Sequence, residues 1–226
     1  MSLFAVADLH LSFGVDKPMD IFGGWSNHVA KIKQNWLKHV KETDTVVVAG
    51  DISWGMDLNQ SKPDFEFIDS LPGRKILLKG NHDYYFSTKK KLDQFFFENG
   101  FKSLNFLHNN SFECGDVSIC GTRGWVNMAE KNQFDEKILK REAGRLRMSI
   151  QSANKLPIVF LHYPPIFCRN RSEEILKVLN EFNIKQVYYG HLHGDVCKFA
   201  VCGFYEGVSY QLISSDYLNF NLFKIF

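Results

Sequence analysis

Several features of common protein classes are missing from this sequence of 226 residues. None of its five cysteines forms a CxxC pair or a zinc-finger spacing, so we expect no structural zinc site and reduced, mostly buried thiols. No apolar stretch approaches the about 18 residues that a membrane-spanning helix requires. The short apolar run after Met1 lacks a preceding basic segment, so a signal peptide is not expected. These absences predict a soluble, cytoplasmic protein with no membrane partner.

The sequence also lacks a charge excess of either sign. Its 27 basic and 25 acidic side chains leave a net charge of +2. A general nucleic-acid binder normally carries a strong basic excess, so no long nucleic-acid track is expected and any anionic ligand must be attracted locally. Apolar residues make up 45% of the chain and include 21 phenylalanines, which is ample for one large core. We predict one domain over residues 1–226.

Short apolar runs alternate with amphipathic helical patterns along most of the chain. The runs predict buried strands at residues 3–7, 45–49, 75–79, 158–161 and 186–189. Helical patterns begin near residues 26, 61, 87 and 172, and the longest runs from 134 to about 154. Residues 101–121 and 199–226 instead predict short strands and turns. This order indicates an α/β fold in which further strands complete or add a sheet.

Each of these five strands ends in a carboxylate, an amide or an imidazole. The residues are Asp8 and His10, Asp51, Asn81 and His82, His162, and His191 and His193. In an open α/β sheet, ligands bind outside the carboxyl ends of the strands. We therefore expect all five sets to converge on one site.

The donor types in this set indicate metal ions. Carboxylate, amide and imidazole donors without thiolate suit divalent or trivalent Mn, Fe or Zn. The number of donors exceeds what one ion uses, so two ions are implied. If each ion takes four ligands and one carboxylate bridges them, seven side chains are required. Setting His82 aside leaves seven.

These motifs, taken in order, resemble the calcineurin-like metallophosphoesterase family and, within it, the bacterial phosphohydrolases. The matching segments are Asp8-x-His10, Gly50-Asp51, Gly80-Asn81-His82-Asp83, His162 and Gly190-His191-x-His193. The resemblance implies a four-layer α/β/β/α sandwich of two mixed sheets flanked by helices. It also implies a metal-dependent phosphoric ester hydrolase that acts on a small phosphorylated substrate.

The resemblance further implies a role for each residue of the motifs. Asp8, His10 and His193 would hold one metal ion, Asn81, His162 and His191 would hold the other, and Asp51 would bridge them. His82 would lie close to the phosphate and assist the leaving group, and Asp83 would orient it. Hydrolysis would then proceed by attack of a metal-bound hydroxide without a covalent enzyme intermediate.

Several alternatives stay open at this stage. The ester is either a monoester or a diester, and the same fold also serves as a non-catalytic metal-binding scaffold or as a nuclease. Arg123, between two glycines, either reaches a phosphate or is a solvated turn residue. Aromatic residues near the motifs either stack on a base of the substrate or wall the pocket. They are Trp25, Trp54, Tyr84, Tyr85, Trp125 and Tyr163.

Overall fold

Helices and strands alternate over most of the chain in the computed structural model, which describes residues 1–125 and 133–226, with only the backbone described at 133 and 134. The helices are α1 (His28–His39), α2 (Leu58–Asp69), α3 (Lys89–Glu98), α4 (Gln133–Gln151) and α5 (Glu173–Glu181). The first strands are β1 (Leu3–Val6), β2 (Thr45–Ala49), β3 (Arg74–Leu78), β4 (Leu104–Leu107), β5 (Phe112–Cys114) and β6 (Val117–Thr122). The later strands are β7 (Leu156–Leu161), β8 (Ile166–Phe167), β9 (Asn170–Arg171), β10 (Gln186–Tyr189), β11 (Gly203–Tyr205), β12 (Val208–Leu212) and β13 (Phe223–Lys224).

The strands form two large mixed sheets. In the first sheet the order is β13-β1-β2-β3-β4, and β1 to β4 are parallel while β13 is an antiparallel edge. In the second sheet the order is β11-β12-β10-β7-β6-β5, and the four central strands are parallel between antiparallel edges. Strands β8 and β9 pair separately. The expectation of two mixed sheets is confirmed.

Three clusters of buried apolar residues arrange these elements in layers. One cluster lies between the two sheets and joins residues such as Ala5 and Val47 to Phe160 and Ile213. A second joins α1, α2 and α3 to the outer face of the first sheet, and a third joins α4 and α5 to the outer face of the second. The order of layers is therefore helix, sheet, sheet, helix, as the resemblance implied.

The carboxyl ends of the parallel strands of both sheets meet at one cleft. Ala7, just after β1, forms a parallel bridge with Ser214, just after β12. The backbone N–H of Ala7 donates to the carbonyl oxygen of Ile213 at 2.8 Å, and that of Asp8 donates to Gly50 at 2.9 Å. Polar residues that follow the strands consequently face one another across this cleft.

Two details of the sequence analysis need correction. Helix α2 begins at Leu58 rather than near residue 61, because the Asp57 side chain accepts from the Gln60 N–H at 3.0 Å and caps it. The cysteines are unpaired, as expected, but only Cys114 and Cys120 are buried. No helix in residues 1–125 and 133–226 is long and apolar enough to cross a bilayer.

Candidate metal centre

Two groups of side chains in the cleft present possible metal-binding atoms. Within each group these atoms lie within 4.8 Å of one another, and the groups are Asp8, His10 and His193, and Asp51, His162 and His191. The Asn81 Oδ1 lies 2.7 Å from His162 Nε2, which adds an amide oxygen to the second group. The Asp51 Oδ2 lies 3.5 Å from His162 Nε2 and 3.9 Å from His10 Nε2. Asp51 is therefore a member of the second group whose carboxylate also borders His10 of the first, so it lies between the remaining residues of the two groups.

The backbone at these residues adopts an uncommon conformation. Asp8, His10, Asp51 and His191 have positive φ angles of 62°, 46°, 50° and 73°. Residues other than glycine rarely take this left-handed conformation, and strained positions of this kind cluster at functional sites. Hydrogen bonds between chain segments maintain it, since the His10 N–H donates to the Asp51 carbonyl oxygen at 3.0 Å. The strand ends therefore turn sharply into the cleft.

Two glycines of the motifs are needed for close approach. A Cβ at Gly80 would overlap the Asp51 carboxylate. A Cβ at Gly190 would lie 2.6 Å from Asp8 Oδ2 and 2.5 Å from the Cβ of Ala7. Any larger residue at either position would displace a carboxylate of the centre.

The histidines of the centre differ in charge because their surroundings differ. Burial lowers the pKa of His10 and of His191 to about 3, so both rings are neutral and keep a free lone pair. Burial also opposes charge on His193, but Asp8 and Asp216 outweigh it and raise its pKa to about 10. Neutral imidazoles beside carboxylates are a donor set that transition-metal cations accept.

The two carboxylates of the centre are stabilised to different extents by the protein itself. Burial opposes charge on Asp8, but His193 and the other histidines outweigh it and hold the pKa of Asp8 well below its usual range. Burial and the charge of Asp8 raise the pKa of Asp51 to about 8. The Asp8 Oδ1 atom is buried and has no hydrogen-bond partner among the described residues. The Nε2 atoms of His10 and His193 face each other at 3.4 Å. Cations among these atoms would give Asp8 Oδ1 a partner and reduce the repulsion between the carboxylates of Asp8 and Asp51. The donor set therefore fits two metal ions.

Asp216 is a residue of this centre that the sequence analysis missed. Its Oδ1 lies 2.9 Å from His193 Nδ1, and its Oδ2 accepts from the Gly194 N–H at 2.8 Å. This contact keeps the Nδ1 proton of His193 in place and leaves Nε2 directed to Asp8, 3.6 Å away. Ser214-Ser215-Asp216 follows an apolar strand, as the other site residues do. The position of Asp216 after an apolar strand is therefore visible in the sequence, but the residue pattern does not show that this strand, β12, runs parallel to β10.

Replacing Asp216 by alanine is expected to weaken metal binding by about 10–100-fold, because residues that orient a metal-binding histidine have effects of this size. Competition with a chelator measures the affinity. Asp195→Ala, which removes an exposed carboxylate two residues after His193, is the matched control and should bind metal as the unmodified chain does. Equal affinities for both variants would contradict a role for Asp216 in positioning His193.

Asp83 does not orient His82, contrary to what the resemblance implied. Its fully buried carboxylate accepts four backbone N–H groups, from Asp51 at 2.9 Å, Ile52 at 2.8 Å, Ser53 at 3.2 Å and Gly80 at 2.7 Å. Adjacent side chains of this turn point in different directions, so Asp83 lies under the loop that follows β2. It holds the backbone of Asp51 in position.

His82 itself lies at the mouth of the cleft. Its Nε2 is 4.0 Å from Asp51 Oδ2, and its Nδ1 is 3.4 Å from the Tyr84 hydroxyl oxygen. Its side chain is 34% exposed, whereas His162 is fully buried. His82 thus stands beside the two groups without belonging to either.

Removal of the Asp83 carboxylate is expected to destabilise the protein. In Asp83→Ala four buried N–H groups lose their acceptor, and each such loss costs about 1–3 kcal/mol. We expect the free energy of unfolding to fall by about 3 kcal/mol or more, as measured by urea denaturation of metal-free protein. Asp83→Asn retains one acceptor oxygen and should lose less. A larger loss in the asparagine variant would contradict this account.

Arg123 is a half-buried member of a charged cluster and not a solvated turn residue. Its side chain is 15% exposed, its Nη2 lies 3.7 Å from Glu142 Oε1, and its guanidinium lies 4.8 Å from the centre of the Trp125 ring. Glu142 is fully buried and also accepts from Thr122 Oγ1 at 2.7 Å and Arg145 Nη1 at 2.8 Å. A contact of Arg123 with phosphate stays a prediction.

The aromatic residues near the motifs separate into different environments. Tyr85 is buried against Phe65, with ring centroids 5.1 Å apart, and belongs to the core. The centroid of the Tyr163 ring lies 4.3 Å from that of His191 and 5.4 Å from that of Trp125. Around His10 and His82 lie Trp25, Trp54 and Tyr84.

Comparison with known proteins gives two kinds of match. The family model described as calcineurin-like phosphoesterase matches residues 1–195. A phosphopantetheinyl hydrolase from Mycobacterium tuberculosis is similar with a TM-score of 0.57 and 14% identity, over 99% of this chain and 95% of that one. A protein of unknown function from Aquifex aeolicus is similar with a TM-score of 0.56 and 17% identity, over the same shares of each chain. No curated protein matches this sequence. At these identities, the structural likeness is one of fold.

Proposed function

The chain belongs to the calcineurin-like phosphoesterase family and is a metal-dependent phosphoric ester hydrolase, and we propose that it hydrolyses a small phosphomonoester or phosphodiester in the cleft between its sheets. The observation that carries this proposal is the position of Asp51 between two groups of metal-binding side chains. Asp51 would be shared by two ions of Mn, Fe or Zn. Asp8, His10 and His193 would complete one site, and Asn81, His162 and His191 the other.

The proposed reaction is a single displacement by water. Two bound cations would neutralise charge on the phosphoryl oxygens and lower the pKa of the attacking water. A bond forms between phosphorus and the water oxygen while the bond from phosphorus to the alcohol oxygen breaks. The attacking water releases one proton to solvent. His82, partly exposed at the mouth of the cleft, gives one proton to the departing alcohol oxygen and regains it from solvent.

The remaining polar residues keep the centre in position. Asp83 holds the loop that carries Asp51 through four backbone hydrogen bonds. Asp216 holds the imidazole of His193. Asp216 lies beyond residue 195, where the family match ends, and β12 and β13 pair within the two main sheets. These contacts support the proposal that residues 1–226 act as one domain.

Hydrolysis of p-nitrophenyl phosphate and bis(p-nitrophenyl) phosphate by metal-stripped protein tests the proposed function. We expect no turnover without metal and restored turnover after Mn²⁺ is returned, with two ions bound per chain. The ratio of the two rates would assign the enzyme to monoesters or diesters. If protein that holds two ions turns over neither ester, the proposed hydrolysis of a small phosphomonoester or phosphodiester in this cleft is contradicted.

A further inference from the structure

A pocket of about 430 Å³ opens directly beside the proposed metal centre. One wall consists of the imidazoles of His10, His82 and His193. The rest of the lining is largely apolar and includes Met19, Phe22, Trp25 and Trp54. This volume is typical of sites for small organic ligands, which combine an apolar lining with a few polar groups. Neither the metal centre nor the water attack requires this apolar wall.

The apolar wall is built from flat rings that are held in place. The Trp54 ring stacks on His10 at 5.0 Å and lies 4.4 Å from the His82 ring. Trp25 is buried and meets both His10 and His193 edge-on, at 5.6 and 5.5 Å. Aromatic walls fixed by such packing offer the part of their surface that lines the pocket to another ring at little entropic cost.

The rim of the pocket is apolar and exposed. Phe22 is 52% exposed, and Ile21, next to it in the chain, is 74% exposed. Large apolar side chains exposed together beside a reaction centre indicate a ligand surface. The Lys17 ammonium group lies 5.8 Å from the centre of the Trp54 ring. This positive charge favours an uncharged or anionic ligand ring over a cationic one.

His82 determines which part of the substrate enters this pocket. In the proposed reaction His82 gives its proton to the alcohol oxygen, so the alcohol must leave on the side of His82. The same ring forms part of the pocket wall. We propose that the leaving alcohol carries an uncharged or anionic aromatic ring, which binds in this pocket against Trp54, Trp25 and Phe22. This inference rests on the proposed function and specifies its substrate class.

Binding of two non-hydrolysable phosphonates tests the pocket independently of turnover. Calorimetry with Mn²⁺-loaded protein compares 2-phenylethylphosphonate with ethylphosphonate, which differ only by the phenyl ring. Because burial of a ring of this size favours binding by more than tenfold, we expect at least about tenfold tighter binding of the phenyl compound. The preference should fall to about threefold or less in Phe22→Ala and in Trp54→Leu. Phe97→Ala, which changes an 86% exposed ring on α3, should keep it.

A second pair of compounds identifies the source of the ring. Adenosine 5′-monophosphate and ribose 5-phosphate release the same type of alcohol oxygen and differ by the base. A preference of about tenfold in kcat/KM for the nucleotide assigns a nucleobase, whereas a preference in the phosphonate pair alone assigns a simple aryl group.

The outcomes separate this inference from the proposed function. Equal affinities for the two phosphonates, or no binding of either, would overturn the inference, and metal-dependent hydrolysis of p-nitrophenyl phosphate would still support the hydrolase. A retained phenyl preference without turnover of any ester would support the pocket and contradict the proposed function. A preference that persists in both pocket variants would also overturn the assignment to these residues.

Discussion

Asp51→Asn is expected to leave less than one metal ion per chain and to lower kcat/KM by at least about 10³-fold. Asparagine keeps the shape of the side chain and an oxygen for the His82 N–H, which donates to Asp51 Oδ1 at 2.8 Å. It removes the negative charge that lies between the two groups of metal-binding atoms. Since bound cations supply several kcal/mol of transition-state stabilisation, their loss accounts for a rate effect of this size.

Metal content by atomic emission and turnover of p-nitrophenyl phosphate measure the two effects together. Asp116→Asn makes the same chemical change at an exposed position between β5 and β6 and should retain both ions and full activity. Thermal unfolding of metal-free protein shows whether the fold persists in each variant. If folded Asp51→Asn still held two ions, Asp51 would not be the shared ligand.

For His82→Ala we expect a different pattern, in which both metal ions remain and kcat falls. The fall should reach about 10²–10⁴-fold for esters of alkyl alcohols, because the loss of a general acid has effects of this size. It should be much smaller for p-nitrophenyl esters, because p-nitrophenolate leaves without needing a proton. The imidazole is partly exposed and belongs to neither metal-binding group, so its removal leaves the donor set intact.

Comparison of alkyl and p-nitrophenyl phosphates, with metal content measured on the same samples, tests this role. His39→Ala, which removes an exposed imidazole at the end of α1, is the matched control and should behave as the unmodified chain. Equal rate losses for both leaving groups would show that His82 does not protonate the alcohol. Loss of metal from the variant would place His82 among the ligands instead.

The sequence was a good guide to residues whose position follows from the end of a strand. Asp8, Asp51 and His162 each end an apolar run. Parallel pairing of β1 with β2 brings Asp8 and Asp51 together, and the packing of the second sheet on the first adds His162, which follows β7. The order of helices and strands followed from apolar periodicity, and the convergence of the seven proposed metal-binding side chains from their place at strand ends. The two mixed sheets were implied by the family resemblance. Asp216 obeys the same rule and was missed because the direction of β12 was not assigned.

The sequence was a poor guide wherever two adjacent polar residues compete for different partners. In the turn after β3, His82 faces the cleft and Asp83 faces the backbone of the loop after β2. The order of the two residues in the sequence does not predict which side chain faces which partner. The aromatic residues show the same limit. Tyr84 is half exposed and Tyr85 is buried in the core, although they are neighbours in the chain.

By itself, the sequence determined the donor types, their order and their place at strand ends, because apolar periodicity and residue chemistry are local properties. Tertiary structure alone decided that Asp51 stands between the two groups, that Asp216 supports His193, and that Trp25 and Trp54 border the same pocket as His82. Contacts in this centre join residues far apart in the sequence, and His10 and His193, whose Nε2 atoms lie 3.4 Å apart, are separated by 183 positions. Such contacts depend on how the two sheets pack face to face, and no local pattern of residues specifies how the sheets are placed relative to each other.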